Sequence, residues 1–236
     1  MRLVELTQQR GEAPMLNVSE AWRTAYPGAC AGILLVENIE NPDHHAVLDR
    51  RKSELEESLR SQFKDRGSIA NLPAVRAYDA YYKRFNKTYP VQLQLESVAL
   101  KGKTIPRVAA LVEAMFMAEL KNTLLTAGHD FREISLPLTL DISRGTERYT
   151  RLNGQEHALK ERDMMMTDAR GVISCVVYGP DQRTQITPST RQALFVVYAP
   201  AGIGEDRVRA HLADILANVR VVCPDAQVRA EEVHLA

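Results

Sequence analysis

The stretch "VVYGPDQRTQITPSTRQALFVVYAP", residues 176–200, places two apolar runs on either side of a segment dense in hydroxyl, amide and guanidinium groups. Short apolar runs bounded by Gly, Pro and Asp read as buried strands. The polar segment between them, Pro180 to Arg191, is either a plain surface turn or a loop that a sheet holds out toward a polar ligand. The neighbouring sequence has the same texture. "ISLPLTLDIS" (134–143), "RYTRLNG" (148–154) and "GVISCVVYG" (171–179) are short, apolar or alternating, and punctuated by turn residues.

Farther out the pattern turns helical. In "NVSEAWRTAYPG" (17–28) Ser19 is a candidate N-cap and Pro27-Gly28 ends the element. "ACAGILLVENI" (29–39) is a continuous apolar run suited to a strand covered on both faces. In residues 42–63, Leu48, Leu55, Leu59 and Phe63 predict one apolar stripe on an otherwise solvated helix. After a break at Arg66-Gly67-Ser68, three helices are expected over 72–86, 89–100 and 105–120, with Pro106 in the first turn of the last. "GEDRVRAHLADILANV" (204–219) predicts an amphipathic helix and "QVRAEEVHL" (227–235) a last strand. The expectation is a single α+β domain over residues 1–236, its β-rich half packed against helices.

Composition excludes more than it names. Hydrophobic content of 45% and charged content of 25% are ordinary for a globular chain, and 236 residues can bury a substantial core. Thirty basic and thirty acidic side chains cancel, so a nucleic-acid role must rest on a local patch, and no DNA partner is expected. The N-terminus lacks an apolar run with a cleavage site, and no stretch reaches the ~18–20 apolar residues that span a bilayer. Cys30, Cys175 and Cys223 are far apart in apolar segments and read as buried thiols of a reducing compartment, which predicts a cytoplasmic protein with no membrane partner.

Several chemistries lack their parts. There is no phosphate-cradling P-loop and no Gly-x-Ser-x-Gly elbow, and "GIGEDR" (202–207) lacks the third glycine of a dinucleotide fingerprint. Adjacent His44 and His45 point about 100° apart on a helix and cannot share an ion, so neither a metal nor a cofactor is expected. Met164-Met165-Met166 reads as strand-edge packing. From Ala80 to Arg107 the cations Lys83, Arg84, Lys87, Lys101, Lys103 and Arg107 interleave with Tyr81, Tyr82, Phe85 and Tyr89, and Glu96 is the one acid. Either cations meet phosphates while rings stack on unpaired bases, or the rings face the core and the cations solvate a helix. Spacing alone favours the core.

The order of motifs carries a resemblance. A helix over 105–120 is followed by Gly128-His129-Asp130, then "LNGQEHAL" (152–159), Asp168, "ISCVV" (173–177) and "DQRTQITPSTRQALFV" (181–196). This succession resembles the B3/B4 domain of the phenylalanyl-tRNA synthetase β subunit, and more closely its free-standing relatives. The likeness is strongest over 75–200, with residues 1–74 as the N-terminal part of the same domain. It implies a three-layer fold in which a β-sandwich of unusual topology is flanked by helices. It also implies a tRNA or aminoacyl-tRNA partner, and an editing pocket that hydrolyses the ester of mischarged aminoacyl-tRNA.

Residue by residue, the glutamate that contacts the tyrosyl hydroxyl in that family falls on Gln182, or on Asp181 with a one-residue shift. The family's histidine falls on Ala127, with His129 two positions on and Asp130 matching the acid that follows. The implied pocket therefore comprises Ala127, Gly128, His129, Asp130, Asp181, Gln182, Arg183, Thr184 and Thr187, with Arg183 the partner for a phosphate or carboxylate and no catalytic residue assigned. On the bland reading Thr187 and Thr190 cap turns and Arg183 pairs with Asp181. Glutamine cannot act as a charged acceptor or base, so two functions are expected. One is a deacylase relying on positioned water and the ribose hydroxyl. The other is a non-catalytic binding module for tRNA or an amino-acid-like ligand.

Overall fold

A computed structural model describes residues 15–236, so the N-terminal reading against a leader falls largely outside the described residues. Strand β1 (Leu16–Val18) leads into helix α1 (Glu20–Ala25), where the Ser19 hydroxyl accepts from the Trp22 amide at 3.0 Å. That is the cap the sequence predicts. Strand β2 (Cys30–Glu37) is buried at seven of its eight positions, as its unbroken apolar run requires. Helix α2 (Ala46–Gln62) then begins on His45, whose ring accepts from the Leu48 amide, while His44 pairs with Asp49 at 2.6 Å.

The charged positions of α2 are not all solvated. Lys52 and Glu56 face inward with Leu48 and Leu59. Lys52 is held by Glu113 at 2.5 Å and by Asp49 at 3.1 Å, a counter-charge arrangement that a single-helix pattern cannot reveal. The expected break at Arg66 is a short helix, α3 (Arg66–Ala70), capped by the Asp65 carboxylate. Helices α4 (Pro73–Lys83), α5 (Pro90–Ala99) and α6 (Ala110–Asn122) follow. First-turn prolines begin α4 and α5, whereas Pro106 lies in the loop before α6. That loop is pinned instead by carboxylates, Glu56 accepting from the Ile105 amide and Glu113 from the Val108 amide.

The β-rich half opens with β3 (Thr126–Asp130) and a single 3-10 turn over Phe131–Glu133, then β4 (Leu138–Ile142), β5 (Arg148–Thr150) and β6 (Glu156–Ala158). After these come β7 (Met164–Asp168), β8 (Gly171–Cys175), β9 (Gly179–Pro180), β10 (Gln192–Ala199), helix α7 (Glu205–Val222) and β11 (Gln227–Leu235). One sheet has the order β11-β2-β10-β3 and is antiparallel throughout. The other runs β1-β4-β7-β8-β9, with β1 parallel to β4, and β5-β6 form a separate hairpin. The three methionines occupy β7, the middle strand of the five-stranded sheet. They are core rather than strand-edge packing.

The layers follow from contacts. A Cβ on Gly32 would lie 2.5 Å from Val208 of α7, so this helix packs directly on one face of β2. On the other face His129 of β3 bonds to Ser174 of β8 at 3.2 Å, and Tyr198 of β10 reaches the same serine at 2.6 Å. The order is helix, sheet, sheet, in keeping with the α+β sandwich expected. Helix α4 ties the sandwich together, since Tyr78 donates to the Tyr198 carbonyl and Tyr82 to the Val176 carbonyl. One contiguous apolar core extends from Leu16 to Ala226, with a small satellite around Tyr149 beneath the hairpin.

Candidate functional site

Strand β3 lies at the edge of its sheet, with Gly128 opposite Phe195 and Asp130 opposite Ala193. Its outer edge is covered by the loop that follows β9: the Asp130 amide donates to the Thr184 carbonyl at 2.7 Å. The segments near 128 and 182, more than fifty positions apart in the chain, therefore meet backbone to backbone. Gly128 makes the approach possible, because a Cβ there would stand 2.8 Å from Ile186 and 3.2 Å from the Met115 sulfur.

Where they meet, the polar side chains bind one another. The Asp181 carboxylate accepts from the Thr184 amide at 3.0 Å and from the Thr184 hydroxyl. Having donated its hydrogen, that hydroxyl accepts from His129 Nδ1 at 2.7 Å. His129 Nε2 is then left to accept from Ser174, which accepts in turn from Tyr198. The chain Tyr198, Ser174, His129, Thr184, Asp181 thus has one consistent direction and a neutral histidine. Burial, with the Arg183 charge adding to it, pulls the His129 pKa down to about 3.

Asp130 accepts from the Thr190 hydroxyl at 2.7 Å and from the Arg132 amide at 3.0 Å. Thr190 also accepts from the Thr187 amide, a turn cap of the kind its sequence allows, and Thr187 shares a 2.8 Å contact with Ser189. Arg183 grips Asp168 through its two terminal guanidinium nitrogens at 2.9 and 3.0 Å, and Asp181 lies farther off at 3.5 Å. Its main partner is Asp168 rather than the neighbouring Asp181. Burial works against the Asp168 charge, yet Arg183 and the Ser135 and Arg170 amides hold its carboxyl below the ordinary range. Gln182 is exposed.

Beside this network lies a hollow of about 380 Å³. Helices α5 and α6 supply one wall, including Val91, Val112, Met115 and Glu119. Thr126, Ala127, Gly128 and Tyr198 form a second, and Gly179, Pro180, Gln185 and Ile186 close the third. Of the nine pocket residues drawn from the resemblance, Ala127 and Gly128 line the hollow. The others brace the loop behind it or, like Gln182, face outward. Two large apolar side chains on its border, Val108 and Leu152, are about half exposed (51% and 50%).

Glu119 is the one carboxyl on the wall, and among the described residues no lysine or arginine lines it. Its Oε1 accepts from the Thr126 amide at 2.7 Å, while Oε2 has no protein partner among the described residues. Burial raises its pKa to about 8 against the opposing pull of that amide, so it is mostly protonated at neutral pH. Cys175 also reaches the wall, its thiol pushed well above the ordinary range by burial. Sequence reading passed over Glu119 and took Cys175 only as a buried thiol, which it is. The available signal was two acids, Glu113 and Glu119, in the otherwise apolar "ALVEAMFMAEL" (110–120), and both prove buried.

The Ala80–Arg107 segment resolves in favour of the core. Tyr81, Tyr82 and Tyr89 are buried, Phe85 packs against the core, and none is free to stack on a base. Each tyrosine hydroxyl has an internal acceptor: Asp163 at 2.6 Å, the Val176 carbonyl at 2.6 Å and the Thr123 carbonyl at 3.0 Å. Nor do the six cations make one stripe. Lys83, Arg84 and Lys87 precede α5, while Lys101 and Lys103 follow its far end roughly 15 Å away. Lys83 pairs with Asp79, Arg107 lies 3.7 Å from Asp49, and Arg84 stacks on Tyr26.

One of the six, Lys87, joins a second cationic group on Tyr178. Lys87 and Arg151 lie over the Tyr178 ring at 5.6 and 5.5 Å, and His157 meets that ring edge-on at 4.1 Å. Burial lowers the His157 pKa, and the charges of Arg151, Lys160, Lys87 and Arg148 lower it further. Arg151 and Tyr178 directly precede Leu152 and Gly179, and Lys87 comes shortly before Pro90, all three on the hollow's wall. The group is therefore joined through the chain to three wall residues.

A family model of the B3/4 domain matches residues 74–214. No curated protein matches the sequence. Among solved structures, the chain is similar to an N-terminal fragment of the phenylalanyl-tRNA synthetase β subunit from Pyrococcus horikoshii, at 12% identity and a TM-score of 0.50. The likeness covers 94% of this chain and 54% of that one, so the chain spans about half the length of the fragment, and at this identity the fold alone is shared.

Proposed function

The chain belongs to the B3/4 domain family, and from that premise we propose that it binds the aminoacylated end of a tRNA and hydrolyses its ester. The observation that carries the reading is a hollow of about 380 Å³, walled by Ala127, Gly128 and Ile186, with Lys87 and Arg151 gathered on Tyr178 within three residues of wall positions in the chain. Such a volume suits an amino-acid side chain, and cations beside it suit the phosphates of the terminal nucleotides. A cytoplasmic location accords with three free buried cysteines and an RNA substrate.

No side chain on the wall is a ready base at neutral pH. Glu119 is mostly protonated, the Cys175 thiol is raised, and His129, behind the wall, is neutral with both nitrogens bonded. Hydrolysis therefore relies on a water oriented by the hollow and on the neighbouring ribose hydroxyl of the substrate. Orientation of this kind can supply ~7–11 kcal/mol of a barrier. The same lack of a base favours a second reading, a module that holds the aminoacyl end without cleaving it.

A panel of mischarged tRNAs at low salt tests both, with ester loss and filter retention followed together. Accelerated ester loss for at least one pair is expected. Retention without acceleration would leave the binding module, and neither effect would remove both readings.

A further inference from the structure

The hollow offers one carboxyl, no basic side chain and a mostly apolar surface. Glu119 sits on its wall at 3% exposure, with Oε1 fixed by the Thr126 amide and Oε2 lacking a protein partner among the described residues. A ligand that complements this surface has an apolar body and one cationic group. A carboxylate on the same ligand would find no counter-charge on the wall and, once the ammonium has ionised Glu119, would meet a group of its own sign. We infer that Glu119 is the receptor for the ammonium of an α-amino acid whose carboxyl is esterified or amidated, so that the hollow excludes the free zwitterion.

This rests on the reading above in taking the ligand as an aminoacyl group, and adds which end is recognised and how free amino acids are rejected. The step is a proton exchange. Glu119 of the empty hollow gives its proton to buffer, and the resulting carboxylate pairs with the ammonium; no covalent bond changes. Apart from Asp163, the groups around it stay fixed in charge over mildly acidic pH. Tyr78 and Tyr82 of α4 and Tyr89 before α5 are raised by burial, as is Cys175 of β8. His211 of α7, bonded to Thr126 at 2.7 Å, is pulled down to about 4 by burial. Asp163, behind Cys175, is raised to about 6 by burial and does titrate there, so a Glu119 variant is needed to separate the two.

The test is calorimetric titration of the intact protein with the amides of leucine, methionine and phenylalanine, their free acids and their N-acetyl amides. At least one amide should bind ten or more times as tightly as its free acid and its N-acetyl form. Because one proton leaves on binding, its affinity should rise about tenfold between roughly pH 5.5 and 6.5. Titrations in buffers of different ionisation enthalpy should count about one proton released, a readout on the unmodified protein. Glu119→Gln should abolish both the pH slope and the preference over the N-acetyl form. Equal binding of an amide and its N-acetyl form, a flat pH profile, an unaffected variant, or no amide binding would each overturn the inference. No RNA is present, so these outcomes are distinct from failure of the tRNA assay, which bears on the proposed function alone.

Discussion

At the scale of single residues, charge state decides what the site can do. Burial raises the pKa of Glu119 from 4.5 to about 8, so the folded chain holds its proton more tightly than the unfolded chain does. The corresponding stability is complete below about pH 4.5 and lost as pH rises through about 8. Glu119→Gln keeps the shape without the charge. Relative to the parent, it should be near neutral in stability at about pH 5 and gain on the order of a few kcal/mol by about pH 8.5. Denaturant unfolding at the two pH values checks this, and an identical difference at both would contradict it. His129 has the opposite sign: its lowered pKa contributes stability above about pH 6.5 that is lost as pH falls through about 3.

Arg183 and Gly128 make separate predictions. The Asp168 side chain is fully buried and Arg183 is its counter-charge. Arg183→Ala should cost on the order of 3 kcal/mol at neutral pH by stranding that carboxylate, read as a shift in denaturation midpoint. The cost should shrink in acid, where Asp168 can take up a proton. Gly128→Val drives a branched side chain toward Ile186 and Met115, at a cost of about 1–3 kcal/mol, and fills the hollow. Loss of ligand binding with the fold retained by circular dichroism is the expected result.

At the scale of elements, what could be read from the sequence depended on how much of each element's environment was its own. Strands β2 and β10 and helix α7 follow from hydrophobic pattern, because each buries residues of its own apolar run. Strand β3 does not, since "TAGHD" is buried at all five positions. Its polar members are satisfied by Thr184, Ser174, Thr190 and His211 from distant segments. The inward charges of α2 were hidden for the same reason, their partners lying on α6 and in the loop before it. Tyr81, Tyr82 and Tyr89 carry both an apolar face and a hydroxyl, and an RNA-stacking role stood beside the core reading that spacing favours. The fold spends all three hydroxyls, on Asp163 and on the Val176 and Thr123 carbonyls. Tyr82→Phe should therefore destabilise by about 1–3 kcal/mol, because the Val176 carbonyl is left buried and unpaired. Equal thermal midpoints for the variant and parent would contradict that role.

For the whole molecule, the resemblance in motif order located the meeting of residues 128 and 182, which pattern and composition could not. It did not indicate that most of the matching side chains support the loop while α5 and α6 supply one wall of the hollow. Nor did it pick out Arg151 and Tyr178, which join Lys87 in a cationic group only once the β5-β6 hairpin and β9 are in place. If this group meets phosphates, Lys87→Ala and Arg151→Ala should each weaken tRNA binding and lower the slope of log affinity against log salt by about one. Among the described residues no helix is long and apolar enough to cross a membrane.

The most direct measurement is a crystal structure of the protein bound to a non-hydrolysable 3′-aminoacylamino-adenosine. The aminoacyl group should lie in the hollow, against Val91, Val112 and Pro180, with its amine on Glu119 and its ribose toward Arg151 and Tyr178. Analogue bound elsewhere, with the hollow empty, would contradict the account.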